Sequence, residues 1–170
     1  MQRIIEIAIF VFFATLLFFL IRKKRNCTML TMGLACISAA TGEFINFFVT
    51  RVTVFPPSFL LWIPGTDVPL YIICLATLVS AAIFEASLYL NGKLKRHSRL
   101  TAVVIAIALS FLLSFGEIAG VELGMWSWIR PYQTYNVFWH IGVWKYYFLF
   151  LASPAVIMLF FSKEIKKQND

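Results

Sequence analysis

Charged residues are scarce in this chain of 170 residues: they make up 14% of it, where soluble proteins average about 25%. Hydrophobic residues make up 61%, with 18 Phe and 5 Trp among them, and the mean hydropathy is +0.83. A water-soluble core of this length cannot bury so much apolar surface. The composition therefore excludes soluble, disordered and collagen-like proteins and predicts an integral membrane protein.

The motifs of several large protein classes are missing as well. The three cysteines form no CxxC pair, which excludes a disulfide scaffold. The nucleotide-binding glycine loops, the HExxH zinc motif and the GxSxG nucleophile elbow are absent. With two histidines in all, a haem or di-iron site with many histidine ligands is not expected. We therefore predict a protein without a metal or another cofactor.

The net charge of +7 does not indicate nucleic-acid binding, because the basic residues form short clusters between apolar stretches rather than one basic face. Spanning a bilayer takes about 20 apolar residues in a helix. The first candidate stretch lacks a signal-peptide cleavage motif and is followed by four basic residues, which favours a retained helix. The five predicted spans are 4–21, 27–49, 68–90, 100–123 and 137–161.

The basic clusters predict the orientation of the spans. Short loops rich in Lys and Arg stay in the cytoplasm, and five spans place the clusters at 22–25, 93–99 and 163–167 on one side. The N-terminus is therefore predicted outside and the C-terminus in the cytoplasm, and we expect the cytoplasmic membrane of a bacterium or an archaeon. The basic residues left for the outer side are Arg3, Arg51 and Arg130.

The chain aligns with itself at an offset of 74 residues, which places Arg25 on Arg99 and Glu43 on Glu117. Each unit contains a basic loop, a helix with a glutamate near its outer end, a loop rich in aromatic residues, and a returning helix. This predicts a parallel repeat of two helical hairpins with a site where they meet, with chance similarity as the alternative. The predicted segments are a first helix and loop, 1–25, the hairpins 26–92 and 93–162, and a basic tail, 163–170.

Several polar residues lie inside the predicted spans, although a charged carboxylate at the centre of a bilayer costs about 2.5 to 3.5 kcal/mol. The acids outnumber the nearby cations, so at least one acid is expected to be neutral. A carboxylic acid in apolar surroundings can donate its proton to an apolar acceptor such as an olefin. A structural ion pair with Lys145 is the alternative, and Glu85 is predicted apart from the others, towards the cytoplasm. The outer polar residues are Glu43, Asn46, Glu117, Glu122, His140 and Lys145.

These positions predict roles in a reaction. Glu43 and Glu117 are the predicted acids, and Asn46 or His140 would position water or remove a proton. Tryptophan faces could stabilise a carbocation through their quadrupoles. The residues predicted to bind the substrate are Trp126, Trp128, Trp144, Tyr147 and Glu122. Gly116, Gly120 and Gly124 predict a small-residue stripe that allows close helix packing, and a second copy of the chain is one partner that it would suit.

Four short motifs lie between residues 40 and 150: Glu43-x-x-Asn46, Val68-Pro69-Leu70-Tyr71, Glu117-x-x-Gly120-x-x-x-Gly124-x-Trp126-x-Trp128 and Ile141-Gly142-Val143-Trp144. Together they resemble the integral-membrane carotenoid hydratases of the bisanhydrobacterioruberin type, distant relatives of membrane lycopene cyclases. The resemblance implies cofactor-free, acid-catalysed addition of water to a polyene end group, or its cyclisation, with Glu43 and Glu117 as the acidic pair. The chain departs from the family in having Asn46 and Trp144, and it lacks the Pro-x-Glu-Glu/Asp signature of heterodimeric cyclases.

Three functions follow from these observations. The first is an enzyme that protonates a double bond of an isoprenoid or another apolar lipid, with hydration, cyclisation or isomerisation as the outcome. The second is a proton or cation transport subunit in which Glu85 continues the path from the outer acids. The third is a non-catalytic lipid-binding or assembly subunit that packs a partner on the glycine stripe.

Overall fold

The computed structural model describes residues 2–51, 53–57, 59–94, 99–128, 141–161 and 165. The helices are α1 Gln2–Arg22, α2 Asn26–Ile45, α3 Leu70–Lys93, α4 Arg99–Ser114, α5 Gly116–Glu122 and α6 Ile141–Phe160. A π-helical turn, Asn46–Thr50, extends α2, and two short strands are β1 Thr53–Val54 and β2 Ser127–Trp128. Four helical segments are long and apolar enough to cross a membrane: Gln2–Arg22, Asn26–Val49, Leu70–Lys93 and Arg99–Glu122.

Four of the predicted spans correspond to these segments, but the fourth is interrupted. α4 ends at Ser114, whose hydroxyl donates to the Phe111 carbonyl at 2.7 Å, and α5 begins two residues later. The Phe115 N–H donates to the Leu112 carbonyl, three residues before it, which tightens the chain at the break. The fifth predicted span corresponds in part to α6, since residues 137–140 lie outside the described residues.

The helix ends follow from backbone chemistry. Pro69, with φ −73° and ψ 139°, precedes α3, where its missing N–H breaks no helical hydrogen bond. The π turn ends at Arg51, which adopts a left-handed conformation with φ 46°, and Pro56 and Pro57 follow soon after. Lys24, with φ 53°, reverses the chain between α1 and α2.

α3 is the central helix of the bundle and packs against α1, α2, α4 and α6. In the apolar segment of α3, 61% of the residues are buried inside the protein. The corresponding share for α1, which lies at the periphery, is 11%. Side chains on α3 are therefore surrounded by protein, whereas most of α1 faces outward.

The bundle has two chemically different ends. At what we call the basic end, α1 and α3 finish and α2 and α4 begin, with basic residues at 22–25, at Lys93 and at Arg99. The opposite end, which we call the aromatic end, contains β1, β2 and the loop 59–69. This loop folds back through a bridge between Trp62 and Pro69, and the ring of Phe59 lies 4.7 Å from that of Tyr71.

The two strands pair in a register that bears on the predicted repeat. β1 and β2 are antiparallel, with Thr53 opposite Trp128 and Val54 opposite Ser127. At the offset of 74 residues Thr53 corresponds to Ser127 and Val54 to Trp128. Thr53 is therefore paired with the counterpart of Val54, and Val54 is paired with the counterpart of Thr53. A two-fold axis through the sheet produces this register. The pairing is therefore consistent with two hairpins related by such an axis, and the repeat itself stays a prediction.

This register can be tested by cross-linking. Directly opposed residues of an antiparallel pair lie about 4.5 to 5.5 Å apart between Cα atoms, which suits a disulfide. In a variant whose three native cysteines are replaced by alanine, we expect Val54→Cys with Ser127→Cys to form a disulfide in high yield. The measurement is whether the two halves stay linked after proteolytic cleavage between residues 94 and 99. Val54→Cys with Leu123→Cys is the matched control, and equal linkage in both would contradict the register.

Candidate active site at the aromatic end

Three glutamates are buried at the aromatic end. The exposed fraction is 0% for Glu6, 1% for Glu43 and 4% for Glu117. The side chain of Tyr71, which is also buried, lies within electrostatic range of all three carboxyl groups, and its hydroxyl donates to the Met125 carbonyl at 3.3 Å. The structure thus places Glu43 and Glu117 at the same end of the bundle, around Tyr71, together with Glu6; neither Tyr71 nor Glu6 was predicted as a site residue.

Glu6 links the loop 59–69 to α1. Its Oε2 accepts the N–H of Leu60 at 2.8 Å, and its Oε1 accepts the N–H of Leu61 at 3.1 Å. A sequence signal for it existed, because Glu6 is the only charged residue in the first apolar span. Tyr71 carried no such signal, since a tyrosine at the end of a membrane helix is common.

Glu43 is held by Asn46, one turn along the same helix. The Asn46 Nδ2 donates to Glu43 Oε2 at 3.3 Å and to the Thr53 carbonyl at 3.1 Å, while its Oδ1 accepts the Thr53 N–H at 3.1 Å. The amide therefore joins α2 to β1 across the π turn. Asn46 was predicted to position water, but in this structure its amide binds protein groups.

Glu117 lies on α5, just after the break in the fourth span, and the indole Nε1 of Trp128 donates to its Oε1 at 2.8 Å. Trp128 belongs to β2, so the sheet that joins the two hairpins also orients this carboxyl group.

An apolar cavity of about 250 Å³ lies beside Glu117. Among the described residues, Glu117 is the only ionisable side chain in its lining, and neither Glu6 nor Glu43 reaches it. Leu113 and Gly116 are exposed on the outer surface of the bundle, so the cavity extends to the surface that would face lipid. The lining residues are Ile72, Leu75, Ala76, Val79, Leu113, Gly116, Glu117, Trp126 and Phe150.

The glycine stripe has an internal role in this structure. A Cβ at Gly120 would overlap the indole ring of Trp126, so this tryptophan can line the cavity only because position 120 has no side chain. Gly124, with φ 67°, follows the end of α5, and its carbonyl accepts a hydrogen bond from the Gln2 amide. Gly116 has open space around it. The three glycines therefore do not form one continuous helical face.

Other predicted site residues lie away from the cavity. Glu122 is exposed at the end of α5, and Tyr147 packs with its ring centroid 6.1 Å from that of Phe111. Glu85 lies at the basic end, as predicted, in an ion pair with Arg25. His140 lies outside the described residues, as do the side chains of Trp144 and Lys145.

The described residues contain no group of three His, Cys, Asp or Glu side chains that could hold a metal ion. No protein-family model, curated protein or solved structure matches the chain. The resemblance to carotenoid hydratases therefore stays a prediction, and the function has to be argued from the site.

The contact between Gly120 and Trp126 gives a stability test. We expect Gly120→Ala to lower the free energy of unfolding by about 1 to 3 kcal/mol, because the new methyl group displaces the indole ring. Gly116→Ala is the matched control, since it adds the same methyl group in open space and a better helix former. Thermal unfolding in detergent, followed by tryptophan fluorescence, measures both, and equal midpoints would contradict the close packing.

Proposed function

We propose that the protein is an integral membrane enzyme that protonates a carbon–carbon double bond of an apolar lipid, with Glu117 as the acid. The observation that carries the proposal is the cavity of about 250 Å³ whose lining is apolar except for this buried carboxyl group. Binding sites for small apolar ligands have this character: an apolar wall with few polar groups. The resemblance to carotenoid hydratases favours the end group of a polyene as the substrate.

The chemistry needs no cofactor. The Glu117 carboxyl group transfers its proton to one alkene carbon, and a carbocation forms at the neighbouring carbon. The indole ring of Trp126, which lines the cavity, would stabilise the cation through its quadrupole. Water can then add and return one proton to the Glu117 carboxylate, which gives hydration. Alternatively, a second double bond attacks the cation and a carbon-bound proton returns to the carboxylate, which gives cyclisation.

Glu117 is a better candidate for the acid than Glu43. Each carboxyl group accepts a side-chain hydrogen bond, Glu43 from Asn46 and Glu117 from Trp128, but only Glu117 lines the cavity. At the offset of 74 residues the counterpart of Asn46 is Gly120, where the missing side chain admits Trp126. The Asn46 amide therefore lies beside Glu43, whereas Trp126 and the cavity lie beside Glu117.

We also propose five spans with the N-terminus outside and the C-terminus in the cytoplasm, with α6 as the fifth. Support comes from the basic end of the bundle. The basic residues 22–25 of the first predicted cytoplasmic loop lie at the same end as Lys93 and Arg99 of the second. The positive-inside rule then places the basic end in the cytoplasm and the Glu117 site in the outer half of the membrane.

The test is mass spectrometry of lipid extracts from a host that accumulates linear polyenes. The wild type should produce a species that gains one water, or one that keeps its mass and changes its retention time. Glu117→Gln should lower this product at least about 100-fold, because a general acid contributes about 10²- to 10⁴-fold to a rate.

Two matched variants serve as controls. Glu43→Gln replaces the other buried glutamate of the repeat, and Glu85→Gln replaces a glutamate at the opposite end, so both should keep most of the product. Full product from Glu117→Gln would refute the assignment of the acid. If the lipids are identical with and without the protein, and Glu117→Gln abolishes a proton flux, the protein is a transport subunit and not an enzyme.

A further inference from the structure

A second candidate site lies at the basic end of the bundle. An open groove of about 720 Å³ runs along the last turns of α3, next to the start of α2. Its walls include two basic side chains, Arg25 and Lys93, one acidic side chain, Glu85, and the amphipathic ring of Tyr89. None of these residues belongs to the Glu117 site.

The groove presents ordered positive charge. Arg25 Nη2 lies 3.2 Å from Glu85 Oε2, and the Thr28 hydroxyl donates to the other oxygen of the same carboxylate, so the guanidinium is held at the edge of the groove. The Lys93 Nζ lies 5.1 Å from the centre of the Tyr89 ring. In the part of the chain that the structure describes, no carboxylate lies within ion-pair distance of Lys93. Two cations thus share the groove with one anion.

The shape of the groove favours a lipid over a free ion. A Cβ at Gly92 would meet no atom within 4 Å, so the groove has no side chain filling it there. Tyr89 is 62% exposed, near the end of a helix long enough to cross the membrane, where tyrosine sits at the boundary between headgroups and acyl chains. The wall therefore offers an apolar surface beside the basic groups.

We propose that this groove binds the headgroup phosphate of an anionic phospholipid, with the lipid tails lying along α3. The phosphate would contact Arg25 and Lys93, and Glu85 would orient Arg25 rather than touch the lipid. Basic pockets between membrane helices at the cytoplasmic side bind anionic headgroups in this way.

The second hairpin does not repeat the site. The offset of 74 residues aligns Arg25 with Arg99, but it aligns Glu85 with Leu159, so the second hairpin has no acidic partner for Arg99 at that position. Arg99 therefore provides a matched control: it is a basic residue of the same end that does not line the groove.

The test is native mass spectrometry of the purified protein in detergent with added dioleoyl phosphatidylglycerol or dioleoyl phosphatidylcholine. We expect the phosphatidylglycerol adducts to persist under activation conditions that remove the phosphatidylcholine adducts. Lys93→Gln should weaken phosphatidylglycerol binding about fivefold, the effect of one basic residue near a membrane surface. Arg99→Gln should leave it unchanged, and Gly92→Leu, which fills the groove without changing its charge, should weaken it as well.

Three results would overturn the proposal. Equal losses from Lys93→Gln and Arg99→Gln would mean that general surface charge binds the lipid. Unchanged binding by Gly92→Leu would mean that the lipid does not occupy the groove. Displacement of phosphatidylglycerol by millimolar inorganic phosphate would mean that the groove recognises the free anion. Thermal unfolding of each variant confirms that it is folded.

Discussion

Hydrocarbon offers no hydrogen bonds, so a carboxyl group buried among these helices needs hydrogen-bond partners from the chain itself. At the aromatic end this constraint determines the local structure. Glu6 accepts two backbone N–H groups of the loop 59–69, Asn46 joins Glu43 to β1, and Trp128 on β2 donates to Glu117. The carboxyl groups thereby connect the helices to the loops that cover them, and the catalytic candidate is part of the same network.

The difference in function that we propose for the two predicted hairpins would arise from small changes at corresponding positions. Both contain a buried glutamate followed by a short strand, and the strands pair with each other. Three residues after each glutamate, one hairpin has Asn46 and the other has Gly120. The amide occupies the space beside Glu43, whereas the glycine admits Trp126 and leaves a cavity beside Glu117. If the two hairpins are repeats, one framework would in this way hold a structural carboxyl group at Glu43 and the proposed acid at Glu117.

Much of the helical framework could be predicted, because apolar stretches of about 20 residues are a strong signal. The matching positions of Glu43 and Glu117 in the two units predicted one polar cluster, and in the structure both are buried at the aromatic end; that the two carboxyl groups act together stays a prediction. The break at Phe115 was not, since Ser114 and Gly116 are tolerated inside membrane helices and only their contacts show that the helix is interrupted. Glu6 was missed because its partners, the N–H groups of Leu60 and Leu61, lie 54 and 55 residues away in the chain. The cavity depends on helix rotation, which uniformly apolar helices do not encode in their periodicity.

In the proposed enzyme, an apolar molecule reaches Glu117 from the bilayer and does not reach Glu43. A hydrophobic carbodiimide partitions into membranes, is small enough for a cavity of about 250 Å³, and forms a covalent adduct with a carboxylic acid. The most direct measurement is peptide mass spectrometry after treating membranes that contain the protein with dicyclohexylcarbodiimide. We predict an adduct on Glu117 and none on Glu43. An adduct on Glu43, or no adduct on either residue, would contradict the account.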